Sequence, residues 1–476
     1  MTETKSYLVA GEWRSGSDAF DVKSPYDDEV VAQVGTPSDQ DVEDAIAAAQ
    51  EAFDETRKLP VHGRAEALGH ISKRLAERLD EIAEVVALEG GKPIKWAKVE
   101  VARAVNTFRW AAEETRRDGG ELMRLDTEAS SGSRVGLVRR FPLGPVLAIA
   151  PFNFPVNLVA HKMAPALAVG APIVIKPATK TPLGALLLGE IFLETDLPPV
   201  MCSVLPVSGS KAGEMAADER FRKISFTGST EVGWKLREAA PKKAVTLELG
   251  GNAGVIVHSD ADLDQAATRI AFGGYYQAGQ SCISVQRVLV HEDVAGEFNA
   301  KLVAEVEKLK TGDPLDPETD VGPLIDHDSL ERVSQWVDEA VQAGAEVLTG
   351  GKREDPFYTP TVLGRTDPQM KVRCQEIFGP VTSVGTYTDF DEAIAEVNNS
   401  DYGLQAGVFA KDVDLLFQAW RDIQVGGVIA NDVSAFRADQ MPYGGTKDSG
   451  IGREGLRYAM DEMSELKILV LSHVPL

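Results

Sequence analysis

The chain has 476 residues, with 49 Lys and Arg against 73 Asp and Glu, which gives a formal net charge of −24. This acidic excess repels phosphate backbones and argues against nucleic acid as a partner. The 43% hydrophobic content is ordinary for a globular protein, and no run of about 18 uncharged apolar residues predicts a membrane span.

The cysteines indicate the compartment. Cys202, Cys282 and Cys374 are odd in number and far apart, so a disulfide framework is not expected. No His or Cys pair has metal-ligand spacing, and we expect no metal site. The first residues lack the basic-then-apolar signature of a secretory signal. We therefore expect a cytoplasmic protein in a reducing compartment.

The first quarter of the chain is predicted to be mainly helical. Apolar residues recur at three- and four-residue spacing in 42–58, 63–91 and 94–118, which is typical of amphipathic helices. Gly90-Gly91 predicts the end of the second helix. A short polar stretch, 125–135, follows.

The rest of the chain alternates short strands with helices. Predicted strands cover 172–178, 202–207, 223–229, 244–251 and 254–259, with helices at 181–195 and 229–240 between them. After a predicted helix at 260–279, a second block has strand patterns at 285–292, 382–389 and 427–432. This alternation predicts two α/β domains in series, each with a mostly parallel sheet. The tail, 464–476, has strand character and can add to another sheet edge, such as that of a partner subunit.

Two segments can bind an anion or a ribose. FTGSTEVGWK (226–235) places Gly228, Ser229 and Gly233 at a strand-to-helix turn, where free backbone N–H groups and the helix dipole favour pyrophosphate. The turn matches neither Walker A nor G-x-G-x-x-G, so an ordinary βα turn stays open. In KPATKTP (176–182), Lys176 ends a buried strand and either binds a ribose or phosphate or reaches solvent.

Three further residues have reactive side chains in unusual settings. Cys282 lies in the small-residue loop GQSC before a predicted strand, where it is either a nucleophile or a buried apolar filler. We assign the filler role to Cys202. Glu248 lies in an apolar strand next to a glycine pair, as a base with a raised pKa or a paired charge. Asn153 lies between aromatic residues and prolines and needs a partner, for which an oxyanion is one candidate.

Together these motifs resemble the aldehyde dehydrogenase superfamily, from about residue 8 to the C-terminus. The ordered set is PFNFP, KPATKTP, FTGSTEVG, LELGGN, GQSC, EIFGPV and PYGGTKDSGIGREG. The intervals of 23 residues from Asn153 to Lys176 and 34 from Glu248 to Cys282 are those of the family.

The resemblance implies a mechanism of aldehyde oxidation to the carboxylic acid. Cys282 is then the nucleophile and Glu248 the base that activates water against the thioester. Asn153, with the Cys282 backbone N–H, then binds the oxyanion. The presence of Glu248 favours hydrolysis over transfer to coenzyme A.

The resemblance also implies NAD or NADP as the cofactor, with eight residues around it. Lys176 then touches the adenosine ribose, Thr227 lies near the nicotinamide, and Glu376 holds the nicotinamide ribose with Phe378 nearby. Ser229, Gly228 and Gly233 hold the pyrophosphate. Thr179 stands where NAD-preferring members often have Glu, which favours tolerance of NADP because no carboxylate repels a 2′-phosphate.

The substrate pocket is expected around Cys282. The closest likeness is to the lactaldehyde dehydrogenase-like branch, on the segments HKMAPALAVGAP, CISVQR and FRADQMPYGG. We expect a short hydroxylated or anionic aldehyde, such as lactaldehyde, glyceraldehyde or a phosphonate or sulfonate analogue. The alternative is that the two candidate arginines only form salt bridges. The candidate pocket residues are Arg109, His161, Ser281, Ile283 and Arg437.

Two other functions stay open: a coenzyme A-acylating or semialdehyde-specific dehydrogenase, and a catalytically silent binding protein on the same fold.

The fold class that the resemblance implies is α/β, with two Rossmann-like parallel-sheet domains and a small β oligomerisation element. The expected boundaries are 1–118 with 139–249 for cofactor binding, 250–456 for catalysis, and 119–138 with 457–476 for oligomerisation. We expect a homodimer or homotetramer.

Overall fold

The computed structural model describes residues 4–117 and 119–473. Fifteen helices occur in this part of the chain: α1 (Asp39–Thr56), α2 (Val61–Glu77), α3 (Leu79–Gly90), α4 (Ile94–Arg117), α5 (Asn157–Val169), α6 (Leu183–Leu193), α7 (Gly209–Ala217), α8 (Thr230–Ala239), α9 (Leu263–Tyr275), α10 (Glu292–Val306), α11 (His327–Gln342), α12 (Lys371–Cys374), α13 (Phe390–Asn398), α14 (Val413–Asp422) and α15 (Leu456–Glu462).

The strands of the described residues are β1 (Tyr7–Val9), β2 (Glu12–Arg14), β3 (Ala19–Lys23), β4 (Val30–Gly35), β5 (Glu121–Arg124), β6 (Arg134–Pro142), β7 (Val146–Ile149), β8 (Ile173–Lys176), β9 (Cys202–Val204), β10 (Lys223–Thr227), β11 (Ala244–Glu248), β12 (Ala253–Val257), β13 (Val285–His291), β14 (Glu346–Thr349), β15 (Arg353–Glu354), β16 (Phe357–Tyr358), β17 (Thr361–Gly364), β18 (Val381–Tyr387), β19 (Tyr402–Gly403), β20 (Gln405–Phe409), β21 (Gly427–Ala430), β22 (Thr446–Lys447), β23 (Gly450–Ile451) and β24 (Ser464–Ser472).

The first large sheet has eight strands in the order β2-β1-β9-β8-β7-β10-β11-β23. Its five central strands are parallel, and antiparallel strands close both edges. β8 and β7 are buried on both faces, as expected for strands covered by helices on either side. The strand order reverses between β7 and β10, so the crevice at their carboxyl ends is where ligands bind in such sheets.

The second large sheet has seven strands in the order β14-β17-β18-β13-β12-β20-β21. All neighbouring pairs except β14 and β17 are parallel. A separate buried core packs on each large sheet. The predicted α/β class with two parallel-sheet units is confirmed.

The third sheet, β24-β6-β5, is antiparallel. The predicted terminal strand exists over Ser464–Ser472, and residues 474–476 of that prediction lie outside the described part of the chain. The strand pairs along its length with β6 of its own chain, leaving its other edge open. We keep the three-part division of the chain as a proposal. Two observations refine its limits, since β6 extends to Pro142 and β23 joins the first sheet.

Two predicted helices are shorter than expected. The segment 63–91 is two helices, because the backbone at Arg78 leaves helical geometry with φ −105° and ψ 19°. The helix predicted at 260–279 ends at Tyr275, because Gln277 and Ala278 adopt positive φ. Gly91 takes a left-handed conformation directly after α3, which confirms the stop predicted at the glycine pair.

Candidate active site

The two large sheets meet at a four-residue link. β11 ends at Glu248 and β12 begins at Ala253, so the carboxyl end of one sheet joins the amino end of the other. A Cβ on Gly251 would lie 2.1 Å from the carbonyl oxygen of Cys282, and one on Gly250 would lie 2.6 Å from a carboxylate oxygen of Glu376. The glycine pair therefore lets Cys282 and Glu376 pack against the strand end that carries Glu248.

Cys282 lies in the turn between α9 and β13 and is half-buried. Its Sγ lies 3.1 Å from the Tyr443 hydroxyl. Burial raises the pKa of the thiol to about 12, while the Tyr443 hydrogen bond opposes the shift. The backbone N–H of Cys282 has no acceptor among the described residues. The thiol is accessible enough to react, and an unused donor adjoins it.

Asn153 is buried in the loop after β7, and the structure brings it to the Cys282 turn. Its Nδ2 donates to the carbonyl of Gln280 at 2.9 Å, which leaves the second amide hydrogen unused. The loop is held by Glu100, whose carboxylate accepts from the backbone N–H groups of Val156 and Asn157 at 2.9 and 3.1 Å.

Glu248 is buried, and neither carboxylate oxygen has a hydrogen-bond partner within the described residues. Burial raises its pKa well above the ordinary value, and the Glu454 carboxylate adds to this. Arg437 and Lys162 oppose the shift with their charges. A carboxyl group whose proton affinity is raised in this way is suited to act as a base toward water.

A buried ion-pair network lies beside Glu248. Glu454 accepts from Lys162 at 3.0 Å and from Arg437 at 2.9 Å. Burial alone would raise the pKa of Glu454, but these two cations hold it well below its usual range. Lys162 also donates to Thr227 at 2.7 Å. Glu454 is therefore ionised, and it favours the protonated form of Glu248.

Lys162 and Glu454 were not predicted as site residues, although both lie in segments that resemble the family. Lys162 could have been recognised from its position within the apolar helix α5, because a buried ammonium group requires a counter-charge. Tyr443 was missed too, because only the fold brings its hydroxyl to Cys282 from 161 residues away.

The predicted pocket residues His161 and Arg437 lie together. Arg437 stacks on Tyr443, with its guanidinium carbon 3.7 Å from the ring centroid. His161 Nε2 is 3.0 Å from Asp439. Burial and the Arg437 charge lower the pKa of His161, whereas the His161 hydrogen bond and neighbouring Arg103 keep the pKa of buried Asp439 low. Because an ionised carboxylate only accepts, Nε2 carries the proton of the neutral ring.

Arg103 belongs to this group, and Arg109 does not. Arg103 donates to Asp439 at 2.8 Å. Arg109 is exposed and lies 5.7 Å from the ring of the adjacent Trp110. Six residues along a helix amount to about 240° of rotation, so the two arginines occupy different faces of α4. The structure therefore does not support the expectation for Arg109.

The two neighbours of the candidate nucleophile have different environments. Ser281 is buried and accepts from the Tyr276 hydroxyl at 3.0 Å. Ile283 is buried with Leu404 and Tyr443, against which Cys282 also packs. The turn is therefore polar on one side and apolar on the other.

The predicted anion turn has the local structure that such a site requires. Ser229 is the N-cap of α8, its side chain makes no capping hydrogen bond, and it is exposed. Gly228 donates to the Glu248 carbonyl at 3.1 Å. A Cβ on Gly233 would lie 2.3 Å from the Leu249 side chain, so glycine lets α8 start close to β11. The backbone N–H groups of the first turn remain available to an oxyanion.

Lys176 and Thr179 lie at the carboxyl end of β8. Lys176 is buried, has no hydrogen-bond partner among the described residues, and burial lowers its pKa. Thr179 is exposed. Lys180 forms an ion pair with Asp326, so its charge is already partly neutralised.

The residues predicted at the nicotinamide end lie around the glycine link. Burial raises the pKa of Glu376 to about 7, against the lowering effect of the Gly251 N–H, which donates at 2.8 Å. Phe378 makes an edge contact with Phe152 at 5.9 Å between centroids. Thr227, at the end of β10, is buried.

Three further features bear on the sequence analysis: the environment of Cys202, groups of metal ligands, and helices long enough to cross a membrane. Cys202 is buried in the first core, and burial raises its pKa to about 12, as expected for an unreactive filler. Within residues 4–117 and 119–473, no group of three or more His, Cys, Asp or Glu could hold a metal ion. No helix in the same ranges has the length and apolar content needed to cross a membrane.

A sequence model of the aldehyde dehydrogenase family matches residues 13–469 of the chain. The chain is 43% identical to the 3-sulfolactaldehyde dehydrogenase of Priestia aryabhattai over 99% of both chains. It is 37% identical to the lactaldehyde dehydrogenase of Methanococcus aeolicus, over 98% of this chain and 99% of the relative. The predicted likeness to the lactaldehyde dehydrogenase-like branch is confirmed.

Two solved structures have the same fold. Aldehyde dehydrogenase 21 of Physcomitrella patens, in complex with the reaction product succinate, superposes with a TM-score of 0.97 at 45% identity, over 99% and 98% of the two chains. The glyceraldehyde-3-phosphate dehydrogenase GapN of Methanocaldococcus jannaschii, complexed with NADP, gives 0.92 at 38% identity, over 96% and 100%.

Proposed function

The chain belongs to the aldehyde dehydrogenase family, and we propose that it oxidises a short hydroxylated, anionic aldehyde to the carboxylic acid with NAD or NADP. The observation that carries the proposal is the convergence of Cys282, Asn153 and Glu248 at the link between the two sheets. Absorbance of the reduced nicotinamide across a panel of aldehydes, run with both cofactors, tests it.

Acylation uses Cys282 and two donors. The Cys282 thiol gives up its proton to water, the thiolate attacks the aldehyde carbon, and the carbonyl oxygen becomes an alkoxide. The unused amide hydrogen of Asn153 and the unpartnered N–H of Cys282 are the available donors for that oxygen. Each such donor typically contributes about 2.7–4 kcal/mol to lowering the barrier.

The free N-terminal turn of α8 and the unpartnered Lys176 support a site for a nicotinamide dinucleotide. We propose that Ser229, Gly228 and Gly233 hold the pyrophosphate, Lys176 the adenosine ribose and Glu376 the nicotinamide ribose, with Thr227 and Phe378 nearby. When bound, the nicotinamide supplies the two-electron oxidation of the substrate carbon.

Deacylation uses Glu248. Its buried carboxylate takes a proton from water, which attacks the Cys282 thioester and releases the acid. The ionised Glu454 nearby raises the proton affinity of Glu248, and Lys162 holds Glu454 in place. The retained base favours hydrolysis over transfer to coenzyme A, and acyl-coenzyme A formation when coenzyme A is added would favour the alternative.

Cofactor choice depends on Thr179. We expect NADP to be used at least as readily as by relatives with glutamate there, because no carboxylate repels a 2′-phosphate. Thr179→Glu should lower kcat/KM for NADP by about tenfold or more and leave kcat/KM for NAD nearly unchanged. The neutral Thr179→Gln should change the ratio of the two kcat/KM values less. A wild-type preference for NAD above about a hundredfold, nearly 3 kcal/mol, would contradict this assignment.

The substrate end of the pocket presents both donors and an acceptor. Arg437 Nε and Arg103 Nε are buried and have no partner among the described residues, and neither has His161 Nδ1. The guanidinium N–H groups suit a sulfonate, phosphonate or carboxylate. The lone pair of His161 Nδ1 suits a substrate hydroxyl, because Nε2 carries the proton. These unused groups favour a 2-hydroxy aldehyde with an anionic end.

Arg103 provides the test of the anionic end. Arg103→Gln should lower kcat/KM for an anionic aldehyde about 10- to 100-fold, the loss expected for one charge-assisted hydrogen bond, and leave a neutral aldehyde of similar length nearly unchanged. Arg109→Gln, on another face of the same helix, is the matched control. An equal loss for both aldehydes would contradict anion recognition by Arg103.

The open edge of β24 supports the expected oligomer. Leu466, Ile468 and Val470 are exposed on this strand, and the second sheet ends in the edge strand β21. We propose that β24 of one subunit extends the sheet of another at β21, since exposed apolar edges are otherwise sites of aggregation.

Charges on this edge should separate the subunits. Ile468→Lys with Val470→Lys should reduce the molar mass measured by light scattering to that of a monomer. Val341→Lys, at an exposed apolar position of α11, is the control. A double variant with the wild-type mass would show that subunits associate elsewhere.

A further inference from the structure

A cavity of about 430 Å³ lies away from the cluster around Cys282. It is lined by the residue that follows α1, parts of α2 and α4, the end of α5, the start of β5, the second half of β6, the helix α15 and the beginning of β24. Six of its residues are arginines: Arg57, Arg64, Arg117, Arg139, Arg140 and Arg457. Such a concentration of positive charge is unusual in a chain of net charge −24.

The carboxylates of the cavity wall do not balance these arginines. Glu114 pairs with Arg117 at 2.8 Å and Asp461 with Arg140 at 2.6 Å. The remaining lining carboxylate is Glu121.

Of the other four arginines, Arg64 donates to the backbone carbonyls of Leu59 and Ala168, and three have no carboxylate within 3.5 Å among the described residues. The nearest carboxylate oxygen to Arg57 is that of Asp54, at 3.7 Å. Among the described residues, Arg139 and Arg457 have no carboxylate within 4.0 Å. The Arg139 guanidinium instead lies 5.5 Å from the Phe141 ring. Like charges gathered in one concave space repel one another, so an anion bound there would stabilise the arrangement.

We propose that this cavity binds a small polyanion of the phosphate-ester or pyrophosphate class, which acts as an effector. Its volume lies in the range of small-molecule sites. Guanidinium groups bind phosphate oxygens through paired N–H donors, and several arginines around one cavity favour a ligand with more than one negative charge.

The cavity shares two helices with the active site. Ala168 and Val169 line it from the end of α5, the helix that carries His161 and Lys162. Arg457 lines it from α15, which begins two residues after Glu454. These helices pack against each other. An anion held by Arg457 therefore acts on the helix adjoining Glu454, and we expect it to change KM for the aldehyde.

Isothermal titration with inorganic pyrophosphate tests the site. The titration is run with saturating NADP, which occupies the anion turn of α8. We expect binding that weakens with ionic strength and is at least tenfold weaker in the Arg139→Ala/Arg457→Ala variant. The control, Arg421→Ala/Lys308→Ala, removes two positive charges from exposed positions and should bind as wild type does.

Two results would overturn the site: no binding by the wild-type protein, or equal affinity in the Arg139→Ala/Arg457→Ala variant. Should that variant fail to fold by circular dichroism, Arg57→Ala, at the half-exposed end of α1, replaces it with the same expectation. A change in aldehyde KM on adding pyrophosphate, absent in the cavity variant, supports the effector role. Binding with unchanged KM would overturn that role.

Discussion

Replacing Cys282 with serine should lower kcat/KM by about 10⁴-fold or more and leave the fold and cofactor affinity unchanged. Serine is close to cysteine in size and can keep the hydrogen bond to Tyr443. However, a hydroxyl is far less readily ionised than a thiol, and removal of the nucleophile in other covalent enzymes costs roughly 10⁴–10⁶ in rate. Absorbance of the reduced nicotinamide measures the loss.

Cys374→Ser is the matched control, because Cys374 is exposed and has no proposed role in the reaction. Its activity should equal that of the wild type. A Cys282→Ser variant that keeps more than about a tenth of the activity would remove the covalent mechanism from consideration. Iodoacetamide should label Cys282, and cofactor and aldehyde should slow the labelling. This result distinguishes the covalent mechanism from a catalytically silent binding protein.

Replacing Glu248 with glutamine should lower the steady-state rate by about 10²–10⁴-fold, the usual contribution of a general base. Acylation does not require this base, so a first turnover of reduced nicotinamide should still occur as a burst, with the thioester accumulating on Cys282. Stopped-flow absorbance measures the burst, and added hydroxylamine should restore turnover by attacking the thioester. Glu318→Gln, at an exposed ion pair, is the control.

The pH dependence follows from the same carboxyl group. Burial and Glu454 raise the pKa of Glu248 above its ordinary value of 4.5, and only the deprotonated form accepts a proton from water. The rate should therefore fall as the pH decreases through this raised pKa, and this limb should be missing in Glu248→Gln. An unchanged acidic limb in the variant would assign it to another group.

Local sequence predicted the parts of the site that local backbone geometry builds. Gly228, Ser229 and Gly233 form a strand-to-helix turn within six residues, and periodicity placed it between β10 and α8. The glycine pair before Asn252 was visible in the sequence, but its physical reason is a tertiary contact, because only glycine fits where Gly251 meets the Cys282 carbonyl. The end of α3 at Gly90 follows from a local rule.

Local patterns were least informative where backbone conformation breaks a regular pattern. Apolar spacing continues through Arg78 and Gln277, yet the helices end there. The terminal strand was recognisable from its β-branched and apolar residues, but its partner within the chain was not. Strand pairing depends on contacts between segments hundreds of residues apart, and hydrophobic periodicity does not record them.

The amino-acid sequence by itself determined the α/β class and the family, and it predicted Cys282, Glu248 and Asn153 as the catalytic residues, because short motifs at fixed intervals carry this information. Tertiary structure alone decided which charged side chains pair with one another beside the candidate site. Arg103 reaches Asp439 across 336 residues, and Arg437 and Lys162 share Glu454. Burial makes an unpaired charge costly, so each buried charge must find its counter-ion in the folded chain, wherever in the sequence that partner lies.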